Sequence, residues 1–235
     1  MNRPTLDRPD LAEHGARGQT SDRRLFVQFL AFGRCTDPNA AAARLQHAGL
    51  EAALYLDVND PAGVGLAVLA EDPATFTDRL RPVLLEPPFD AMALKHHFTM
   101  LGRTYSLGYE PDLRDTLLER PRRHILQPDW PWVIWYPLRR SGAFERLTPE
   151  EQKAILKEHG VIGMAYGQAG FAYDVRLAAH GLTRDDNDFV IGLTGPELFP
   201  LSAIVQRMRS TQQTSQYLEK LGPFFVGKAI WKSGE

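Results

Sequence analysis

Cysteine is almost absent. Cys35 is the single one among 235 residues, so no disulfide can form within the chain. A reducing compartment is the default expectation, and Cys-x-x-Cys or Cys/His zinc patterns are excluded. Long apolar runs are missing too, and no stretch approaches the roughly 20 residues needed to cross a bilayer. Residues 1–23 are polar, with charge, proline and glycine but without the apolar core of a secretory leader. They read as a flexible tail, and the expected setting is cytoplasmic with no membrane partner. An excess of one charge is also lacking: 27 Lys and Arg against 29 Asp and Glu leave a formal net charge of −2. That balance gives no support to a nucleic-acid partner. The cations do cluster locally at Arg120, Arg122, Arg123, Arg139 and Arg140. Such a cluster suits a pocket for a few carboxylates or phosphates, although a solvated surface is the commoner fate of arginines.

Apolar residues make up 43% of the chain, enough for an ample core. Regular periodicity begins at Arg24. The run from Leu25 to Phe32 is rich in strand formers, and Thr36-Asp37-Pro38 opens an alanine-rich helix to about Gly49. Strands are expected at 51–58 and 64–70, a helix after Asp72-Pro73, and a further extended segment within 90–105. The order β-α-β-β-α-β is the ferredoxin-like arrangement. It recurs later, with strands at 132–138, 173–179, 188–194 and 223–231 and helices at 148–166 and 196–209. The expected organisation is a tail at 1–23, one ferredoxin-like half at 24–110, a connector at 111–131 and a second half at 132–235. The fold class is α+β, with the duplicated units forming a dimeric α+β barrel and helices outside. The proline-containing connector has room for a short helix at 112–119.

The most informative stretch is Glu158-His159-Gly160-Val161-Ile162-Gly163. Its helix is announced by Thr148-Pro149-Glu150-Glu151, a natural N-cap, a proline at the first position and a capping-box glutamate. Ile155, Leu156, Ile162 and Gly163 share the His159 face. An imidazole there sits against apolar side chains, and Gly160 and Gly163 leave room for a broad flat ring. A hydrogen-bonded core histidine is the alternative reading of these residues. His96 and His97, on a presumed strand, would point to opposite faces and make a poor metal pair. His124, among arginines, is a candidate for carboxylate binding.

Trp135-Tyr136-Pro137-Leu138-Arg139-Arg140 resembles the Tyr-Pro-Met segment of coprohaem decarboxylases, within the chlorite dismutase-like haem proteins. Leu147–Gln152, then His159–Gly163 and Tyr166, follow in that family's order. Asp185-Asp186-Asn187-Asp188-Phe189 is similar to its acidic turn. Met208-Arg209 and Gly222-Pro223-Phe224-Phe225-Val226-Gly227 are similar to its C-terminal signature. The likeness covers 132–228; in the first half it rests mainly on Met100-Leu101-Gly102-Arg103-Thr104-Tyr105.

The resemblance implies a haem-dependent oxidoreductase and a homo-oligomer, often a pentamer. The cofactor would be haem b or iron coproporphyrin (coprohaem), held in the C-terminal half with His159 as proximal iron ligand. It implies a decarboxylase in which hydrogen peroxide is the oxidant and Tyr136 carries the radical that takes hydrogen from a propionate, which becomes a vinyl group. The alternative place for Tyr136 is an aromatic cluster with Trp132, Trp135 and Phe144. Arg140 stands where the family has a lysine that holds the reacting propionate; it grips a carboxylate but stays charged and donates no proton. Arg139 joins the carboxylate-binding set, and Arg103 is a candidate for a second propionate, an ion pair being its alternative. On the side facing the open iron position, counting back from Asp185 selects Arg176 and counting forward from His159 selects Ala172. An arginine there would favour chlorite dismutase or peroxidase-like chemistry. The carboxylate that usually accepts from the proximal histidine has no counterpart in Ser210-Thr211-Gln212-Gln213, where a glutamine is the expected acceptor. A haem-binding or haem-sensing protein without turnover is the non-enzymatic reading.

Overall fold

The computed structural model describes residues 8–234. A short hairpin pairs β1 (Glu13–His14) with β2 (Thr20–Ser21). The first half then runs β3 (Phe26–Gly33), α1 (Pro38–Ala48), β4 (Ala52–Asp57) and β5 (Val64–Ala70). A π-helical turn at Phe76–Leu80 continues into α2 (Arg81–Leu84), followed by β6 (Ala93–Leu94) and β7 (Met100–Arg103). In the connector a second π-turn, Asp115–Glu119, leads into α3 (Arg120–Leu126). The second half comprises β8 (Trp132–Arg140), α4 (Gly142–Glu145), α5 (Pro149–Gln168), β9 (Tyr173–Ala178) and β10 (Phe189–Gly195). It ends with α6 (Leu198–Met208), α7 (Gln212–Gln216), β11 (Leu218–Leu221) and β12 (Phe225–Lys232).

Local chemistry sets the helix ends as expected. Asp37 accepts from the Ala40 amide at 2.9 Å to start α1, and Gly49, at φ 60°, closes it in the left-handed conformation that glycine tolerates. Thr148 and Glu151 form a reciprocal capping box on α5.

The strands close on themselves in the order β8-β10-β9-β7-β3-β5-β4-β12 and back to β8. A single bridge, Arg103 to Ala178, joins the halves on one side, and β12 pairs with β4 on the other. Because side chains alternate, every strand has an inward and an outward set. The inward set of both halves makes one core, including Val27, Phe29, Tyr55, Met100, Trp135, Val175 and Phe225, stopped at one end by Leu113, Leu117 and Ile125 of the connector. Outside, α1 and α2 cover the first half, and α5 and α6 cover the second.

Three expectations need correction. Residues 8–23 are not a loose tail: the Ala16 amide donates to the Glu110 carbonyl at 2.9 Å, and Glu13 accepts from Arg103 at 3.0 Å and from the Ser106 amide at 2.9 Å. Polar composition suggested disorder, but here the polar groups are partners for the chain after β7. Residues 1–7 of the expected tail lie outside the described residues. His96 and His97 stand in a 3-10 turn, His96–Phe98, rather than on a strand. The connector helix is also longer than expected, running to Leu126.

Candidate functional site

β8, β9 and β10 present a continuous outward surface to α5 and α6. Trp135, next to Tyr136, points inward, where its ring lies against Phe29. Ile134, Tyr136, Leu138, Phe189 and Leu193 therefore face outward with Ala178. Register then fixes neighbours: Ile191 pairs with Tyr136 on one side and with Arg176 on the other. Arg176, Ile191 and Tyr136 form one row across the sheet, with Asp174, Leu193 and Ile134 in the row beside it. Facing them come Ile162 and Tyr166 from α5 and Leu198, Leu201, Ile204 and Met208 from α6. This sheet floor and helix roof bound the candidate slot.

His159 belongs to the roof. It is half-buried, and desolvation holds its pKa below the ordinary histidine value, with Arg140 and Arg176 adding to the depression and Asp174 and Glu158 opposing it. The imidazole is accordingly neutral at neutral pH, as a metal ligand must be. Its Nδ1 lies 3.4 Å from Thr211 Oγ1. That hydroxyl donates to the Met208 carbonyl at 2.7 Å and accepts from the Thr214 amide at 3.4 Å, which leaves one lone pair for the ring. Nδ1–H donates, and Nε2 keeps an open lone pair. The expected glutamine acceptor is thus replaced by Thr211, one residue earlier. Beside the ring the helix surface is bare. A Cβ built on Gly160 would meet nothing within 4 Å, and one on Gly163 only Met208 Cε at 4.0 Å.

Tyr136 is 9% exposed and stacks on Phe224, with ring centroids 4.7 Å apart. Of the alternative cluster, strand alternation turns Trp135 to the other face, Trp132 shares the Tyr136 face, and Phe144 comes from α4. Among the described residues the phenol oxygen has no hydrogen-bond partner, and burial, followed by the Asp174 charge, pushes its pKa up. Arg140 lies on the same face of β8, its guanidinium carbon 4.6 Å from the Phe144 ring centre and 4.5 Å from that of Phe189. Its Nε is buried without a partner, and desolvation depresses its pKa. A half-buried cation that pairs with no carboxylate among the described residues is a receptor for one.

The remaining candidates divide. Arg176 sits on the sheet floor in the Tyr136 row, and Ala172, ahead of β9, is buried in the cluster that holds Tyr136. Arg103 is taken by Glu13, the ion-pair alternative. Arg139, one residue out of phase with Arg140, is engaged by Asp186 at 3.3 Å and Glu219 at 3.8 Å and is not gathered into the slot. His124 is spent on the Asp174 carbonyl, with its ring among Trp130 and Tyr173, so it binds no carboxylate here. Asp174 had no sequence signal, while Thr211 and Tyr105 fell inside quoted stretches without being singled out. Tyr105 follows β7, lies against Phe189 at 5.6 Å, and has its pKa raised by burial. Only the closing of the barrel brings it from the first half to the second.

The donor set fits an iron porphyrin. It offers a neutral imidazole with one nitrogen oriented, bare helix surface at two glycines, apolar walls and a buried guanidinium for a side-chain carboxylate. Fold and site together define a duplicated ferredoxin-like α+β barrel with a histidine-roofed slot in its second half. The chlorite dismutase family profile matches residues 93–230, more than half of the chain, and the chain belongs to that family. A protein of Haloarcula marismortui described as a candidate haem-binding protein is 30% identical over 111 residues, 46% of this chain and 16% of that relative's length. Among solved structures, a haem-binding protein of Thermus thermophilus superposes with a TM-score of 0.67 at 21% identity, covering 89% of this chain and 92% of that one. Chlorite dismutase of Candidatus Nitrospira defluvii in complex with imidazole superposes with a TM-score of 0.64 at 16% identity and the same coverage. At these identities the structural likeness establishes the fold. No helix among the described residues is long and apolar enough to cross a membrane.

Proposed function

We propose that this chain binds an iron porphyrin in the slot and acts as an oxidoreductase of the coprohaem decarboxylase type, with hydrogen peroxide as oxidant. The observation that carries the reading is the pairing of an unpartnered, buried phenol, Tyr136, with an unpaired, desolvated guanidinium, Arg140, on the surface facing His159. His159 Nε2 would hold the iron, with Nδ1–H anchored on Thr211. Arg140 would bind and orient one propionate of the substrate; being permanently charged, it fixes the carboxylate and supplies no proton. Tyr136, once oxidised to its phenoxyl radical with loss of its proton, would take a hydrogen atom from that propionate, its ring held by Phe224. When bound, the iron supplies the two-electron exchange with peroxide. Overall, one propionate, one peroxide and one proton give one vinyl group, one carbon dioxide and two waters, so atoms and charge balance.

The test is incubation of the purified protein with iron coproporphyrin and peroxide, followed by mass spectrometry of the porphyrin. Stepwise conversion of propionates to vinyls is expected, and an unchanged tetrapropionate after many equivalents of peroxide would overturn the reading.

Arg176 on the floor favours a second reading, chlorite decomposition or peroxidase turnover, since a cation there draws an anion and assists O–O cleavage. Oxygen release from chlorite that is lost in R176Q would establish it. We further propose a homo-oligomer, a pentamer by kinship; light scattering giving a monomer of 26.4 kDa at micromolar concentration would overturn that.

A further inference from the structure

β9 places two charged side chains on the floor, Asp174 and Arg176, with inward Val175 between them. Positions two apart on a strand share a face. Asp174 Oδ2 lies 3.0 Å from Arg176 Nε, and the two side chains keep 49% and 42% of their surface open to water. Desolvation nevertheless weighs most on the Arg176 charge, outweighed by Asp174 and then the Tyr105 and Tyr109 phenols and Glu110, so its pKa stands above the ordinary arginine value. Arg176 shares its row across the sheet with Ile191 and Tyr136, so the pair stands on the surface that carries Tyr136. Asp174 is also the foremost charged neighbour of both His159 and Tyr136. Other charges around the slot are Arg140 on β8, Glu158 on α5, and Asp188 and Glu145 beside Arg140.

A lone arginine on this floor would attract any small anion. Joined to Asp174 the pair is neutral, and an incoming monoanion meets a carboxylate of its own sign and must displace it from Arg176. Hydrogen peroxide is uncharged and meets no such opposition. We propose that Asp174 is a specificity-determining residue, which ties down Arg176 and so turns the slot against monoanionic oxidants such as chlorite in favour of a neutral one. The choice of oxidant rests on the haem-site reading above, whereas the tie itself is a property of the protein alone.

The experiment uses azide as the monoanion and D174N, which keeps the shape of the side chain. In the cofactor-free protein the Arg176 Nε–H resonance is followed by 15N NMR during azide titration. In the wild type it is expected to stay put; in D174N it should move, with azide bound roughly 3- to 10-fold more tightly. In haem-loaded protein, absorption titration should show the same gain, and KM for chlorite should fall while KM for peroxide holds. The gain should vanish in D174N/R176Q. Equal azide affinity in wild type and D174N, or a gain that survives removal of Arg176, would overturn the proposal. Failure of the protein to take up haem would instead strike the proposed function, leaving the NMR arm to judge Asp174.

Discussion

At the scale of single residues, the imidazole of His159 is held by a neutral hydroxyl, and that choice has consequences. A carboxylate acceptor would draw the Nδ1 proton and make the ring a stronger electron donor; Thr211 only orients it. T211V removes the acceptor with little change in volume, and haem affinity by absorption titration is expected to fall roughly 10–100-fold. T211S should keep most of it. Equal affinity for T211V and wild type would show that the 3.4 Å contact orients nothing. Tyr136 makes the complementary case. Its ring packs on Phe224 but its oxygen bonds to no described residue, so Y136F should take up haem as wild type does while forming no vinyl product. His159, Gly163, Tyr136 and Arg140 are legible in the sequence because each sits in a local pattern: a capped helix, a glycine pair, a strand motif. Thr211 and Asp174 are not, since their roles depend on contacts across 52 residues and across a sheet surface.

Among elements, the segment before β3 and the connector helix are where composition misled. The β1–β2 hairpin reads as tail because it is polar, yet Glu13 is an internal counter-ion, its side chain 12% exposed between Arg103 and Arg24. E13A is expected to lower stability by about 1.5–3 kcal/mol in urea denaturation, the range for hydrogen bonds to charged groups. A loss within error of zero would return the segment to tail status. In the connector, His124 is held neutral chiefly by desolvation, with Arg120 and Arg123 adding to the effect. Its folded pKa lies below 6.5, so between that value and 6.5 the unfolded chain binds the extra proton. Its contribution to stability is therefore complete above pH 6.5 and declines as pH falls through that window. H124N should flatten the wild-type slope of urea midpoint against pH between about 5 and 7; an identical slope in both proteins would contradict this assignment.

For the whole molecule, the duplicated β-α-β-β-α-β order is visible in the sequence because each unit repeats its own periodicities. Closure is not visible, because it depends on two seams, β7 with β9 and β4 with β12, that no local pattern announces. Closure also merges what looks like two domains into one core. Phe29 of the first half stacks on Trp135 of the second at 5.5 Å and meets Phe225 at 4.9 Å. Gly65 of β5 admits these rings: a Cβ there would collide with Phe225 Cζ and lie 2.7 Å from Phe29 Cζ. Both atoms belong to fully packed aromatic rings, so neither can yield cheaply. G65A is expected to cost about 1–3 kcal/mol, the range for overpacking a core. Gly65 belongs to the first half and lies on the barrel side away from the slot, so independent halves would leave haem release untouched by this change. A shared core requires the opposite. Tryptophan fluorescence and loss of haem absorbance should give one coincident urea transition, and G65A should move both to lower urea together. Separate transitions, or a shift in fluorescence alone, would show that the halves fold as independent units.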